Sequence, residues 1–275
     1  AMTQAGINSG SGAANKRLLF KRGDTFTMPS ADYIRKTNGI VGAFGTGANP
    51  QIQFTSNNPA FFMLSGVGEW TFMDLDFLGV GGFRDMPVTT QFADRSNVLM
   101  LRLSASLTAG CEPTGDVIFM VDCNLSNLTG GGGFVGFYTQ HSSRVVALGN
   151  RIYDCSGIEH NIRFQGSTKC VISNNTLYKP ANTKHLITIR GRSTLADPAV
   201  WSGVWCEHIV ISDNDMDVGA TAGPAWAAHF GAQNSNSDER TRDVIFERNY
   251  VRGNTTTMVC TEASERVTIR NNLLQ

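Results

Sequence analysis

Two short segments of the sequence place the same residue types at the same spacing. The segments are EHNIRFQG at 159–166 and KHLITIRG at 184–191, and they set His160 and His185 25 residues apart. Arg163, Lys184 and Arg190 stand on this shared pattern. Arginine binds a carboxylate or sulfate through paired hydrogen bonds, and lysine is a point charge whose basicity depends on its surroundings. These residues are therefore the first candidates for a site that handles an acidic ligand.

Strand alternation predicts that several of these side chains share an outer face. Two more segments, FVGFYTQH at 134–141 and TTMVCTEA at 256–263, align with the pair, and successive side chains in a strand point to opposite faces. The first outward row reads Tyr138, Arg163, Thr188 and Cys260, and the second reads Gln140, Gln165, Arg190 and Glu262. Lys184 and Glu159 share a row at the strand entrance. Neighbours in a row are expected ~4.8 Å apart, so this face can hold one ligand.

This combination of residue types suits β-elimination on a uronate-containing polysaccharide. The carboxylate must be neutralised so that the neighbouring proton becomes acidic, and a base must then remove that proton. Arg163 and Arg190 are the predicted neutralisers, and Lys184 or Tyr138 is the predicted base. Gln140, Gln165 and Glu262 are predicted to bind substrate.

Two long connections are predicted to form a wall beside this face. They are RSTLADPAVWSGVWCEH at 192–208 and AQNSNSDERTR at 232–242, and insertions in a solenoid often carry recognition. Trp201 and Gln233 lie in them and are predicted to bind substrate. His229 lies just before the second and is also predicted to bind substrate, with its place in the outward rows left undetermined by the sequence. Tryptophan is equally an ordinary core residue.

A simpler interpretation of the same face stays open. Glu159 and Lys184 can form an exposed ion pair of little energy. The protein can also be a non-catalytic glycan-binding, adhesin-like or tailspike-like module. Alternation assigns His160 and His185 to the inner face, where a stacked, hydrogen-bonded structural pair is expected.

The sequence predicts no bound metal and no cofactor. Six cysteines show neither a CxxC motif nor the Cys/His spacing of a zinc site. The segment DNDMDVG at 213–219 makes Ca²⁺ possible, but its glycine is one place late for an EF-hand loop and its acids alternate with core-directed Asn214 and Met216. Solvent-facing acids are the preferred interpretation.

A repeated frame predicts the elements that position these residues. The frame is apolar, x, apolar, x, x, Asn, x, apolar, and nine segments match it with variable connections between them; in three of them Leu75, Leu103 or Cys123 replaces the asparagine. Two inward apolar residues are typical of one coil of a parallel β-helix. The asparagine is predicted to adopt the left-handed conformation of the tight turn that follows and to stack its amide on the next asparagine. The rival β-sandwich requires many Asn-Gly hairpin turns, and the sequence has one, at Asn38. The predicted asparagine ladder consists of Asn57, Asn150, Asn175, Asn214, Asn249 and Asn272.

The ladder and the segment LLFKRGDTF at 18–26 resemble the right-handed parallel β-helix proteins of the pectin-lyase-like superfamily. The resemblance implies an all-β solenoid of about nine or more coils, polysaccharide-active chemistry and an extracellular or periplasmic location. The series NTD…DD…GHG…RIK of polygalacturonases and the motif YG[FI]DPH[DE] of mannuronan epimerases are absent, which disfavours those two activities. The resemblance also implies one domain, 1–275, that either lacks an N-terminal cap and further C-terminal coils or has its open end covered by a partner.

Composition narrows the range of partners. The chain has 275 residues, with 23 basic and 23 acidic side chains. A neutral protein has no long-range field to attract nucleic acid or an anionic membrane, so a polysaccharide or oligosaccharide is the expected partner. No run of 18 or more apolar residues is present, which predicts no membrane-spanning helix.

Overall fold

The computed structural model describes residues 15–64, 66–81, 86–90, 97–129, 135–155, 159–178, 180, 184–192, 203–219, 225–231, 239–253 and 258–275. Within these ranges every regular element is a strand. In chain order the strands are β1 Lys16–Lys21, β2 Thr25–Met28, β3 Asp32–Ile34, β4 Gly39–Phe44, β5 Gln51–Phe54, β6 Phe61–Met63, β7 Trp70–Met73, β8 Asp76–Leu78, β9 Val88–Thr90, β10 Asn97–Leu101, β11 Ser104–Ser106, β12 Val117–Val121, β13 Asn124–Ser126 and β14 Phe137–Gln140. They continue as β15 Arg144–Leu148, β16 Arg151–Tyr153, β17 Ile162–Gln165, β18 Thr168–Ser173, β19 Thr176–Tyr178, β20 Ile187–Arg190, β21 Cys206–Ser212, β22 Asp215–Asp217, β23 Ala228–Phe230, β24 Thr241–Glu247, β25 Tyr250–Arg252, β26 Val259–Thr261, β27 Ser264–Arg270 and β28 Leu273–Leu274.

The strands form three long parallel faces. Sheet 1 has ten strands in the order β1-β4-β7-β10-β12-β15-β18-β21-β24-β27, and sheet 2 has ten in the order β2-β5-β8-β11-β13-β16-β19-β22-β25-β28. Sheet 3 consists of β3-β6-β9 and β14-β17-β20-β23-β26, joined by isolated parallel bridges at Glu112 and Cys111. The chain visits the sheets in rotation and advances one strand per turn. The predicted parallel β-helix is confirmed.

The frame folds this way because each coil contributes a few inward apolar residues that only the neighbouring coils can cover. On sheet 1 the register places Val145 beside Cys170, Cys170 beside Ile209, and Ile209 beside Val244. These side chains are buried in a single hydrophobic core that runs the length of the described coils. A single two-strand unit would leave them in water, so stacking is what stabilises the fold.

An asparagine ladder closes the turn between sheet 1 and sheet 2. Asn175 Nδ2 donates to Asn214 Oδ1 at 2.9 Å, and Asn175 Oδ1 accepts from the backbone N–H of Asn150 at 2.9 Å. The same pair of bonds joins Asn214 to Asn249 and Asn249 to Asn272. Asn150 ends the ladder by accepting from the backbone of Cys123 at 2.9 Å.

Two details of the predicted ladder are wrong. Asn57 does not belong to it, because the segment that matched the frame there is β5 of sheet 2, and Asn57 lies exposed after that strand. The left-handed residue of each turn is also the residue before the ladder position, for example Asn174 with a φ of 56° and Asp213 with a φ of 58°. The ladder asparagines are therefore placed by their amide hydrogen bonds and not by a tolerance for positive φ.

The described coils also show which apolar side chains are exposed at the C-terminal end and whether the cysteines are paired. The last coil leaves Ile269, Leu273 and Leu274 exposed at 47%, 64% and 51%. All six cysteines are described and none forms a disulfide. The described residues contain no helix long and apolar enough to cross a membrane.

Candidate functional site

The outer face of sheet 3 carries the predicted rows of side chains. Tyr138 pairs with Arg163 and Arg163 pairs with Thr188 in the parallel register. His229 pairs with both Thr188 and Cys260, so it occupies the place in the row that the sequence left undetermined. The residues on either side of the row, such as Ile187 and Ile189, are in the core. Strand alternation therefore directs the row outward.

Tyr138, Arg163 and Gln165 form one connected unit on this face. The Tyr138 hydroxyl donates to Gln165 Oε1 at 2.6 Å, and Arg163 Nη2 donates to the same oxygen at 3.2 Å. The Arg163 guanidinium carbon stands 5.2 Å from the centre of the Tyr138 ring, within the range of a cation–π contact. Three predicted site residues are thus in direct contact, with the hydroxyl and the guanidinium converging on one amide oxygen.

Glu159 joins Arg163 to Lys184. Its two carboxylate oxygens lie 3.2 Å from Arg163 Nη1 and 2.9 Å from Lys184 Nζ. The expected pair between Glu159 and Lys184 is therefore present, and it includes Arg163 as well. Arg190, the other predicted neutraliser, pairs with buried Glu239 at 3.2 Å.

Arg192 adds a further positive charge beside the second row. Its Nη1 donates to Gln140 Oε1 at 2.8 Å. Burial lowers the pKa of Arg192, while the neighbouring Tyr138 hydroxyl opposes that shift. Gln140 thus serves to orient a guanidinium, in addition to being a candidate for binding a sugar hydroxyl.

Glu112 extends the first row on the other side of Tyr138. The bridge between Cys111 and Phe137 sets Glu112 beside Tyr138 in the parallel register. Burial raises the pKa of the Glu112 carboxyl to about 7, against the opposing positive charge of Arg163. Its Oε1 is buried and makes no hydrogen bond to the described residues. A carboxyl that titrates near neutral pH can give or take a proton at the site.

The Tyr138 hydroxyl and the His141 imidazole are both neutral near pH 7. Burial raises the pKa of Tyr138, and the charges of Arg163 and Arg192 reduce that rise without cancelling it. Burial and Arg192 lower the pKa of His141 to about 4. Tyr138 is therefore suited to donate a proton, and His141 is suited to accept one.

His160 and His185 are stacked and buried as expected, but not on the inner face. Their ring centroids stand 5.2 Å apart, and the His160 Nδ1 lies 3.2 Å from Thr188 Oγ1 in the outward row. His185 also stacks on Trp226 at 4.5 Å. Simple alternation fails because the chain bends at Asn161, whose buried amide donates to the Ile152 carbonyl of sheet 2. Asn161 and Ile162 then both face inward, and His160 faces outward.

These histidines hold hydrogen bonds that fit a positioning role. The backbone N–H of His185 donates to His160 Nδ1 at 3.1 Å, which makes that nitrogen an acceptor. Burial lowers the pKa of His160 well below its usual range and that of His185 to about 3. Both rings are neutral and stack on each other beside Thr188 of the outward row.

The remaining predicted residues separate into three groups. His229 is buried, with its Nε2 3.5 Å from Glu262 Oε2, so both belong to the far end of the outer face. Trp201 and Gln233 lie outside the described residues. In the segment 213–219 the acids Asp215 and Asp217 both pair with Arg252.

Sequence reasoning missed Glu112, Arg192 and His141. Glu112 lies in a coil whose third strand is reduced to isolated bridges, so no segment there aligned with the other strands. Arg192 follows the repeat by one residue and contacts a partner 52 residues away. His141 was visible as the last residue of FVGFYTQH, where the signal was its place at a strand end on the aligned face.

Comparison with known proteins gives a structural resemblance and no match in sequence. No protein-family model and no curated protein matches the sequence. Among solved structures, the A-module of the mannuronan C-5 epimerase AlgE4 from Azotobacter vinelandii aligns with a TM-score of 0.44 and 13% identity. The alignment covers 99% of this chain and 92% of that one. The parallel β-helix assigned here rests on the chain's own sheet order and register.

Proposed function

We propose that this protein binds an acidic polysaccharide along the outer face of sheet 3 and cleaves it by β-elimination at a uronate. The observation that carries the proposal is the contact of Tyr138, Arg163 and Gln165 beside Glu112. A cation, a phenol and a carboxyl with a pKa of about 7 thus stand side by side in one row that crosses three neighbouring coils. Those are the groups that the reaction requires.

The charge balance of the face supports binding of an anion. Four cationic side chains stand on it, and they are Arg163, Lys184, Arg190 and Arg192. Glu159 and Glu239 are the carboxylates paired with them, and Glu262 is a third carboxylate at the far end of the face. Glu112, with its pKa of about 7, is half neutral at neutral pH. The excess of positive charge is suited to a uronate carboxylate, which arginine binds through two parallel hydrogen bonds.

The chemical step is assigned to the first outward row. Arg163 neutralises the uronate carboxylate, and the Glu112 carboxylate takes the proton from the carbon beside it. The electron pair of that C–H bond forms the new carbon–carbon double bond, and the glycosidic C–O bond breaks. Tyr138 donates its proton to the departing oxygen, because burial keeps the phenol protonated. Lys184 and Arg190 then serve as carboxylate ligands at the edge of the site, since both are held in ion pairs.

The test is formation of unsaturated product from a panel of alginates, pectates and glycosaminoglycans. The new double bond is conjugated with the carboxylate and absorbs in the ultraviolet. Tyr138→Phe and Glu112→Gln are each expected to lower kcat by about 10² to 10⁴ fold. Tyr178→Phe is the matched control, because Tyr178 is an exposed tyrosine of sheet 2. Absence of unsaturated product across the panel would refute the elimination.

A second function, glycan binding without turnover, is favoured by a specific observation. Glu159 pairs with both Lys184 and Arg163, as in a structural ion-pair network. A non-catalytic receptor, adhesin or tailspike-like module would show saturable binding of an acidic glycan by calorimetry with no change in chain length. In that case Lys184→Ala weakens affinity and has no further effect. Either function belongs with an extracellular or periplasmic location, which cell fractionation tests.

A further inference from the structure

Three potential metal ligands meet at the C-terminal end of the outer face of sheet 3. His229 of β23 stands opposite Cys260 of β26, and Glu262 follows two residues later on the same side. The ligand atoms of the three residues all lie within 4.8 Å of one another. The cluster is separate from the contacts of Tyr138, Arg163 and Glu112 described above.

His229 gives an independent sign that something is bound there. Its side chain is buried, and neither ring nitrogen makes a hydrogen bond to the described residues. Buried polar groups are nearly always satisfied, so an imidazole whose Nδ1 has no partner among the described residues and whose Nε2 has only the Glu262 carboxylate as an ion-pair partner within 4 Å requires an explanation. Its Nε2 lies 3.5 Å from Glu262 Oε2.

The surrounding rings hold His229 in a fixed orientation. Trp226 packs against it with a centroid separation of 5.0 Å, and His185 does so at 5.2 Å. His185 uses its Nδ1 to accept a hydrogen bond from the backbone of Trp226 at 3.3 Å. A packed aromatic support of this kind preorganises a ligand.

We propose that His229, Cys260 and Glu262 form a zinc-binding site. Two ligand atoms ~2.1 Å from a tetrahedral ion stand about 3.4 Å apart, close to the separation between His229 and Glu262. Imidazole and thiolate favour Zn²⁺ over Ca²⁺ or Mg²⁺, which take oxygen ligands. Three protein ligands leave a fourth position for water, and half-exposed Cys260 with exposed Glu262 makes that position reachable from solvent.

The charge and proton balance of binding is simple. In the metal-free protein, burial and the charge of Glu262 raise the pKa of Cys260 to about 11, so the thiol is protonated. Zn²⁺ replaces that proton, which leaves for solvent, and a Zn–S bond forms without any change of oxidation state. One thiolate and one carboxylate then neutralise the ion.

The spacing of the three ligands explains why no sequence motif marks the site. Cys260 and Glu262 are separated by one residue, as alternation requires for one face of a strand. His229 comes from the preceding coil, and only the parallel register brings it opposite Cys260. No local Cys/His motif results.

The test uses the whole chain, purified without metal and kept reduced, and needs no substrate. Co²⁺ is expected to bind with one equivalent per chain and to give the visible bands of a tetrahedral ion with a thiolate-to-cobalt charge-transfer band. Zn²⁺ is expected to displace it. Cys260→Ser, which changes only sulfur to oxygen at a half-exposed position, is expected to abolish the charge-transfer band. It should also weaken Zn²⁺ binding by more than about 100-fold.

His208→Ala is the matched control, because His208 is exposed on sheet 1 with Glu207 and Asp243 within 3.9 Å. It should leave the stoichiometry and the spectrum unchanged. Persistence of the thiolate band in Cys260→Ser, or loss of the bound ion in His208→Ala, would overturn the assignment. A cobalt spectrum without a thiolate band in the unaltered protein would do so as well.

Discussion

The buried carboxyl of Glu112 is expected to destabilise the fold at high pH, and Glu112→Gln removes that effect. The pKa of this carboxyl rises from 4.5 to about 7 on folding because burial disfavours the charged form. In the unfolded chain the group ionises near 4.5, whereas in the folded chain it stays protonated until about 7. The unfolded state therefore binds fewer protons between these values, and stability falls as pH rises through this window.

The size of the effect follows from the width of the window. Each pKa unit corresponds to about 1.4 kcal/mol, so the full penalty above pH 7 is about 3 kcal/mol. Because the Glu112 side chain is partly exposed, solvent screens part of this penalty, and about 2 kcal/mol is its lower limit. Glutamine has nearly the same shape and carries no charge, so the variant should be more stable than the original by about 2–3 kcal/mol at pH 9. At pH 4 the two proteins should be alike.

Urea unfolding followed by circular dichroism at pH 4 and pH 9 measures this difference. Glu265→Gln is the matched control, since it removes an exposed carboxylate of sheet 1. The control should show no added stability at pH 9. Equal stability differences for Glu112→Gln at the two pH values would refute the reasoning. If Glu112 is also the base of the reaction, the same substitution gives a more stable and less active protein.

Three further outcomes follow from the structure. Asn175→Ala removes an amide that is hydrogen-bonded to Asn214, Asn150 and Ala147. It should lower the free energy of unfolding in urea by about 3–6 kcal/mol. Asn272→Ala, at the half-exposed end of the ladder, should lower it by about 1 kcal/mol. Lys184→Ala should change the unfolding free energy by less than about 1 kcal/mol, because its ion pair with Glu159 is partly exposed. Gly110→Ala should unfold the protein at lower urea by a large margin, since its φ is 98° and the new Cβ would meet the Val135 carbonyl at 2.1 Å.

Much of the fold was predictable because the same short pattern of inward apolar residues recurs from coil to coil. Eight of the nine matched frames lie on sheet 1, and the alternation within each frame gave the inward residues directly. The frame at Asn57 failed because two alternating apolar residues are equally typical of sheet 2, as β5 shows. Only the spatial order of strands separates these cases.

The site was harder to predict, since its contacts join residues from different coils. Alternation correctly assigned Tyr138, Arg163 and Gln165 to one face, and the register then brought them together. It could not show that Arg192 reaches Gln140 across two coils. It also assigned His160 to the wrong face, because the bend at Asn161 is set by a hydrogen bond to another sheet.

The burial of charged groups argues against a merely solubilising surface. Arginines that keep a solenoid soluble extend into water, where every N–H is hydrated. On sheet 3 the Nε atoms of Arg163 and Arg190 are buried and make no hydrogen bond to the described residues, and neither does Glu112 Oε1. Each such group costs about 1–3 kcal/mol, more when it is charged. Arg163 and Arg190 keep ion pairs with Glu159 and Glu239, which compensate only part of this cost. Under the proposed function an acidic ligand adds hydrogen bonds to the Nη atoms of these guanidinium groups and takes or gives the proton that Glu112 carries.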